Sequence, residues 1–262
     1  MTRFPRVLIT GGSSGIGRAL ALALATPAAT LHLSGRNATR LEATAQACRA
    51  RGADVRTAVL DVRDAGAMAA WIESVGPLDL VVANADVSAG AGGNLIEPPA
   101  QIRAILATNV DGMLNTVLPA IAVMAAQPRG ADGIAGRIAV IASIAGLVAV
   151  PGSAAYCAAK AAVDAWTVAT APAARAQGIV LTSVCPGYIR TAMTAENRFP
   201  MPGLMDADRA ARIILRAVAA GRVRVAFPWW MAAAARLAAL LPPRLLAALT
   251  AGRQGKPPDP TL

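Results

Sequence analysis

Apolar positions fall in short, β-branched runs separated by longer stretches rich in alanine and leucine. The runs at 6–9, 30–34, 54–59, 78–83, 137–141, 179–184 and 224–227 read as buried strands. The stretches at 18–25, 38–51, 64–74, 99–126, 153–176 and 206–220 read as helices. This alternation predicts an α/β fold: one doubly wound parallel sheet with helices on both faces. Residues 1–228 are expected to form a single domain, with 229–262 a basic helical extension that does not fold alone. Pro172 is expected to end or kink its helix near Ala171. The polar, glycine-containing loops 88–93 and 127–136 are expected to be mobile.

Hydrophobic residues make up 55% of the 262 and charged ones 15%, which excludes a disordered chain. Aromatics are only 3%, so alanine and small aliphatics fill the core. The cysteines Cys48, Cys157 and Cys185 form no Cys-x-x-Cys, which points to a reducing, cytoplasmic setting. The strand at Arg6 leaves no room for a signal peptide, and no uninterrupted apolar run reaches transmembrane length. His32 is the single histidine and reads as a packed strand residue, so no catalytic metal is expected. Trp71 and Trp166 read as packing residues and Cys157 as a small filler.

The formal charge is +10, and +7 of it falls from residue 198 onward, where ten basic residues face three acidic ones. The arginines are spread out and not interleaved with aromatics, so charge alone supports nucleic-acid binding and the expectation is none.

Chemistry enters at Thr10-Gly11-Gly12-Ser13-Ser14-Gly15-Ile16-Gly17, between the first strand and a helix. Glycines let a pyrophosphate approach the backbone, and the helix N-terminus offers free N–H groups and a positive dipole end. The acidic residue that would bind a ribose 2′-hydroxyl about 20 positions on is missing, for no Asp or Glu stands between Gly17 and Glu42. Ser34-Gly35-Arg36-Asn37 instead offers space and a guanidinium for a 2′-phosphate, which favours NADP(H) over NAD. Asp61, after the third strand, is placed for an adenine amino group. Tyr156 and Lys160 stand four apart on one helix face, where the cation favours phenolate and acid/base work. Ser143 follows the fifth strand, at the sheet's carboxyl edge where ligands of open α/β folds bind.

These motifs, in this order, resemble the short-chain dehydrogenase/reductase family of the compact type, with a Rossmann-like fold. The resemblance runs from the first strand to about Tyr188. It implies a tetrad of Asn109, Ser143, Tyr156 and Lys160, with Lys160 also holding the nicotinamide ribose and Asn109 supporting a water chain. It implies cofactor contacts from Thr10, Gly11, Ser13, Ser14, Gly15, Ile16, Gly17, Arg36, Asp61, Val62, Asn84, Ala85, Tyr156, Lys160, Pro186, Gly187, Ile189 and Thr191. A homodimer or homotetramer is implied as well. One departure stands out: where the family has Asn-Asn-Ala-Gly, this chain has Ala83-Asn84-Ala85-Asp86, expected to shift the turn or weaken cofactor binding.

The expected function is hydride transfer between NADP(H) and an apolar ketone or secondary alcohol, with tyrosine as acid/base. A catalytically silent NADP-binding sensor or subunit is the alternative; the retained Ser143, Tyr156 and Lys160 argue against it. Ile144, Leu147, Val148 and Val150, then Tyr188, Ile189 and Met193, are expected around the substrate, under a lid of Phe199, Met201, Leu204 and Met205. In the tail, Trp229-Trp230-Met231 opens a helix to Leu241 that Pro242-Pro243 breaks before 245–249. With Arg236, Arg244, Arg253 and Lys256, residues 229–256 suit a peripheral membrane interface. Packing over the substrate pocket or against a second subunit is the favoured reading.

Overall fold

The structure, a computed structural model, describes residues 4–92, 96–197, 199–250 and 256–259. Seven parallel strands form the central sheet: β1 (Arg6–Ile9), β2 (Thr30–Gly35), β3 (Asp54–Val59), β4 (Leu80–Ala83), β5 (Gly136–Ile141), β6 (Ile179–Pro186) and, after two short strands, β9 (Arg224–Phe227). Their order is β3-β2-β1-β4-β5-β6-β9, and the short β7 (Ile189–Arg190) and β8 (Met205–Asp206) pair apart from it. The order reverses between β1 and β4, which opens the crevice where such sheets bind ligands. The expected doubly wound α/β fold is therefore present.

The helices are α1 (Gly15–Leu24), α2 (Ala38–Arg49), α3 (Ala65–Val75), α4 (Pro99–Leu106), α5 (Gly112–Ala126), α6 (Ala154–Ala176), α7 (Ala192–Ala195), α8 (Ala207–Ala219), α9 (Trp229–Ala238) and α10 (Pro243–Thr250). They cover two cores, one on each sheet face. Val7, Ile9, Leu31 and Leu33 face one layer with Leu20 and Ile214; Leu8, Val81 and Ile138 face the other with Ile72, Val117 and Val163. The alternation along β1 follows from the period of two in a strand. Each fully buried Leu or Ile contributes about 1.5–3 kcal/mol by leaving water.

Several expectations change. The helix read over 99–126 is interrupted by a π-turn at Ala107–Asp111, which holds Asn109. Together these segments are long and apolar enough by composition to cross a membrane, although polar residues such as Arg103, Asn109 and Asp111 interrupt the apolar run. Here, however, Val117, Ala120 and Met124 pack into the second core. Pro172 does not end α6, which continues to Ala176; burial of Ala171 and Ala174 holds the last turn in place across the missing N–H. Met205 is not part of a lid: it pairs with Ile189 between β7 and β8, and both are buried in the first core.

The loop expected to be mobile, Ser88 to Gly92, is tied down by the tail. Lys256 Nζ donates to the Ser88 carbonyl at 2.6 Å, Gly90 N to Pro257 O at 3.1 Å, and Gly92 N to Lys256 O at 3.0 Å. Gly93, Arg198 and Arg253 lie outside the described residues. On α9, Ala232 and Ala235 are buried and Met231 packs against the second core, whereas Trp229 (77%), Leu237 (68%) and the following Leu240 (80%) are exposed.

Candidate active site

The glycine loop leaves β1 and turns into α1 because of two glycines with opposite uses. Gly15 has φ +52°, a left-handed conformation that side chains rarely take. Gly17 sits so close to the Gly11 carbonyl and Asn84 Nδ2 that a Cβ would collide with both. Asn84 locks the loop from β4, donating to Thr10 O and Gly11 O at 3.1 Å each, while the Thr10 hydroxyl accepts from Asn84 N at 3.1 Å. Ser14 caps α1 without a side-chain bond, and no acidic residue stands in its first turn. The N–H groups at that end thus remain available to an anion.

The crevice continues from this loop in both directions. Ser34, Gly35, Arg36, Asn37 and Arg40 line one end. Asn37 caps α2 by accepting from Arg40 N at 2.9 Å, at the point where Arg36 and Arg40 both line the crevice. Ser34 Oγ is buried and has no hydrogen-bond partner among the described residues. Asp61 and Val62 line the floor; the Asp61 carboxylate is engaged by Arg63 at 2.6 Å, which holds it below the usual carboxylate range. A free helix terminus, an orphaned hydroxyl and two guanidiniums fit the phosphates of a dinucleotide.

At the other end stand Ala85, Asp86, Val87, Thr108, Ser143, Tyr156, Pro186, Gly187, Ile189, Thr191 and Met193. Ser143 caps the 3-10 turn Ile144–Leu147, accepting from Ala145 N at 3.1 Å while its hydroxyl donates to the Pro186 carbonyl at 3.5 Å, and it acts to lower the Tyr156 phenol. Ile144 itself is buried in the second core, and Leu147 and Val148 pack against it, so they support the site from behind.

Helix α6, which carries Tyr156 and Lys160, is fixed at its N-terminus and at its middle. The buried Glu97 carboxylate accepts from Ala155 N at 2.9 Å, an anion at the helix N-terminus. Further along, Asp164 pairs with Arg224 at 2.7 Å and accepts from Ser183 Oγ. Lys160 is 2% exposed; its ammonium donates to the Ile141 carbonyl at 2.9 Å and pairs with Asp86 Oδ2 at 3.0 Å. Tyr156 OH lies 3.4 Å from the same Oδ2. Burial, and next the Asp86 charge, push the phenol well above its ordinary value. Burial pushes the Asp86 carboxyl up while Lys160 pulls it down, leaving it raised.

Of the catalytic and cofactor-contact residues read from the sequence, all but Thr10, Gly17, Asn109 and Lys160 line the crevice directly, whereas of those expected around the substrate or in its lid Ile189 and Met193 do and the rest do not. Thr10 and Gly17 shape the loop from beneath, and Lys160 sits behind Tyr156. Asn109 holds Val87 through both its amide atoms, with Nδ2 donating to Val87 O and Val87 N donating to Oδ1, each at 2.9 Å. Its side chain is thus committed to the loop that carries Asp86. Sequence reasoning missed Arg40, for which the spacing of four from Arg36 was a usable signal, and Thr108, for which there was none.

Comparison with known proteins agrees with this geometry. The family described as short chain dehydrogenase matches residues 5–201. An oxidoreductase of Myxococcus xanthus, itself uncharacterized, is 34% identical over 90% of this chain and 92% of its own length. The 2-(R)-hydroxypropyl-CoM dehydrogenase of Xanthobacter autotrophicus is 36% identical over 76% of this chain and 80% of its own. A short chain dehydrogenase of Mycobacterium paratuberculosis bound to NAD superposes with TM-score 0.73 at 24% identity, covering 86% and 96% of the two chains. The chain belongs to the short-chain dehydrogenase/reductase family. It is an oxidoreductase of a family that works with a nicotinamide cofactor.

Proposed function

We propose that this protein is an NADP(H)-dependent carbonyl reductase or alcohol dehydrogenase whose substrate is apolar around the reacting carbon. The observation that carries the reading is one crevice with Arg36 and Arg40 at one end and Ser143 and Tyr156 at the other. Gly11 to Ile16 and the α1 terminus would hold the pyrophosphate, Arg36 and Arg40 a 2′-phosphate, and Asp61 and Val62 the adenine side. Asn84, Ala85, Pro186, Gly187, Ile189 and Thr191 would bracket the nicotinamide end. A bound nicotinamide supplies or accepts the hydride. Tyr156 moves the proton at its phenolic oxygen, and Ser143 donates to the substrate oxygen as charge grows there. Lys160 stands beside Tyr156 with its ammonium paired to Asp86.

The relative named for dehydrogenating a 2-hydroxypropyl compound supports an alcohol/carbonyl couple. The three free, buried thiols support a cytoplasmic setting. The exposed Trp229, Leu237 and Leu240 support contact with a second subunit, since the face of α9 that packs within the chain is its alanine face.

The test is NADPH consumption with a panel of aliphatic and cyclic ketones set against short, charged keto acids. Turnover of the apolar set is expected. A strong preference for charged keto acids contradicts the substrate class, and tight NADPH binding with no turnover supports a silent cofactor-binding protein.

A further inference from the structure

Asp86 adds a third charge to the tyrosine–lysine pair. Its Oδ2 lies 3.0 Å from Lys160 Nζ and 3.4 Å from the Tyr156 hydroxyl, and its Oδ1 is buried with no hydrogen-bond partner among the described residues. Besides the Val87 backbone N–H, Lys160 and Tyr156 are the groups that meet the carboxylate, so most of its field falls on them. Lys160 is 2% exposed and Asp86 13%, and charges so shielded from water interact strongly. The other ionisable groups acting here are Cys157, beside Tyr156 on α6, Glu97 beyond that thiol, and Lys256 from the tail, whose ammonium feels Asp86. Ser143 and Asn109 complete the surroundings as neutral groups.

A phenol beside an unmatched ammonium loses its proton more readily, and a carboxylate at the same distance has the opposite effect. In this site the ammonium is matched. We propose that Asp86 is a positioning residue that keeps the proton on Tyr156: by pairing with Lys160 it withholds that cation from the phenol and poises the site to donate. The proposal rests on Tyr156 being the acid of the reaction. In reduction the C=O π bond breaks, the carbon takes hydride from the reduced nicotinamide, the oxygen takes the Tyr156 proton, and a phenolate is left to be reprotonated from solvent. Oxidation of an alcohol needs the phenolate first, so Asp86 favours the reductive direction at neutral pH.

The chain has two tyrosines, Tyr156 and Tyr188, so protein labelled with ¹³C at the tyrosine Cζ gives two signals, and Tyr188→Phe assigns them. The full-length protein, Asp86→Asn and Asp86→Gly are titrated in parallel. The Tyr156 signal should stay that of a phenol in the parent to the highest pH at which the fold survives. In both variants it should begin to ionise at least about one pH unit lower, a tenfold change in ionisation constant. Both variants leave the Lys160 ammonium its bond to the Ile141 carbonyl, and Asp86→Gly, which brings no new amide into the site, serves if Asp86→Asn does not fold. Variant signals that follow the parent throughout overturn the proposal. A shifted phenol in a protein that reduces no carbonyl would leave the role of Asp86 standing and remove the catalytic reading.

Discussion

The Lys160 ammonium lies 3.0 Å from the Asp86 carboxylate but 5.5 Å from the centre of the Tyr156 ring. Two residues that face each other on one helix are thus mediated by a third from the end of β4. Lys160→Met should leave Asp86 buried without its cation, at a cost of about 3–5 kcal/mol in stability. The sign with pH follows from a carboxyl raised in the folded state: the fold is least affected at low pH, where the carboxyl is protonated. The loss should grow as pH rises above the ordinary carboxylate value of about 4. Urea unfolding across that range checks it, and adding Asp86→Gly should restore most of the loss.

Arg36 and Arg40 lie at the opposite end of the crevice, beside the unpartnered Ser34 hydroxyl. One charge-assisted phosphate contact is worth roughly 1.5–3 kcal/mol, so Arg36→Ala should weaken NADPH binding about ten- to a hundredfold. NADH binding should change little. Fluorescence titration with both cofactors decides the matter, and equal losses would remove Arg36 from this role.

The strands, the helix order and the glycine loop were legible because each is written in local pattern, period two or period 3.6 beside a glycine turn. Boundaries failed where packing overrode local preference. Burial of Ala174 carries α6 past Pro172, and the π-turn at Ala107–Asp111 follows from the fit of Asn109 to Val87, not from any local signal. The site was legible as a set of residue types in order. Its electrostatics were not: Asp86 reads as a disturbed turn until the fold brings it to Lys160 and Tyr156, some 70 positions away. Met205 was misplaced because an apolar residue among glycines and prolines reads the same in a lid and in a small strand pair.

All three thiols are buried, and burial pushes each above its ordinary value, Cys185 to about 12. Since the thiolate is the reactive form, none should react with an aromatic disulfide reagent in the native protein near neutral pH. All three should react once it is unfolded in urea. A fast-reacting native thiol would contradict the described burial, most informatively at Cys157 beside Tyr156.

The exposed apolar face at Trp229, Leu237 and Leu240 should be covered in solution by a second subunit. Sedimentation should show a dimer or tetramer that Leu237→Asp with Leu240→Asp weakens. Binding of the full-length protein to anionic liposomes at low salt, where charge is least screened, would instead favour a membrane surface as the partner.

The most direct test concerns Tyr156, which lines the cofactor crevice together with Ser143. NADPH oxidation by an accepted apolar ketone is followed in a single turnover with the parent and with Tyr156→Phe, alongside NADPH affinity for both. The expected result is loss of turnover by at least a hundredfold, the lower range for a positioned proton donor, with NADPH affinity nearly unchanged. Turnover within a few-fold of the parent would contradict Tyr156 as the proton donor and with it the proposed mechanism.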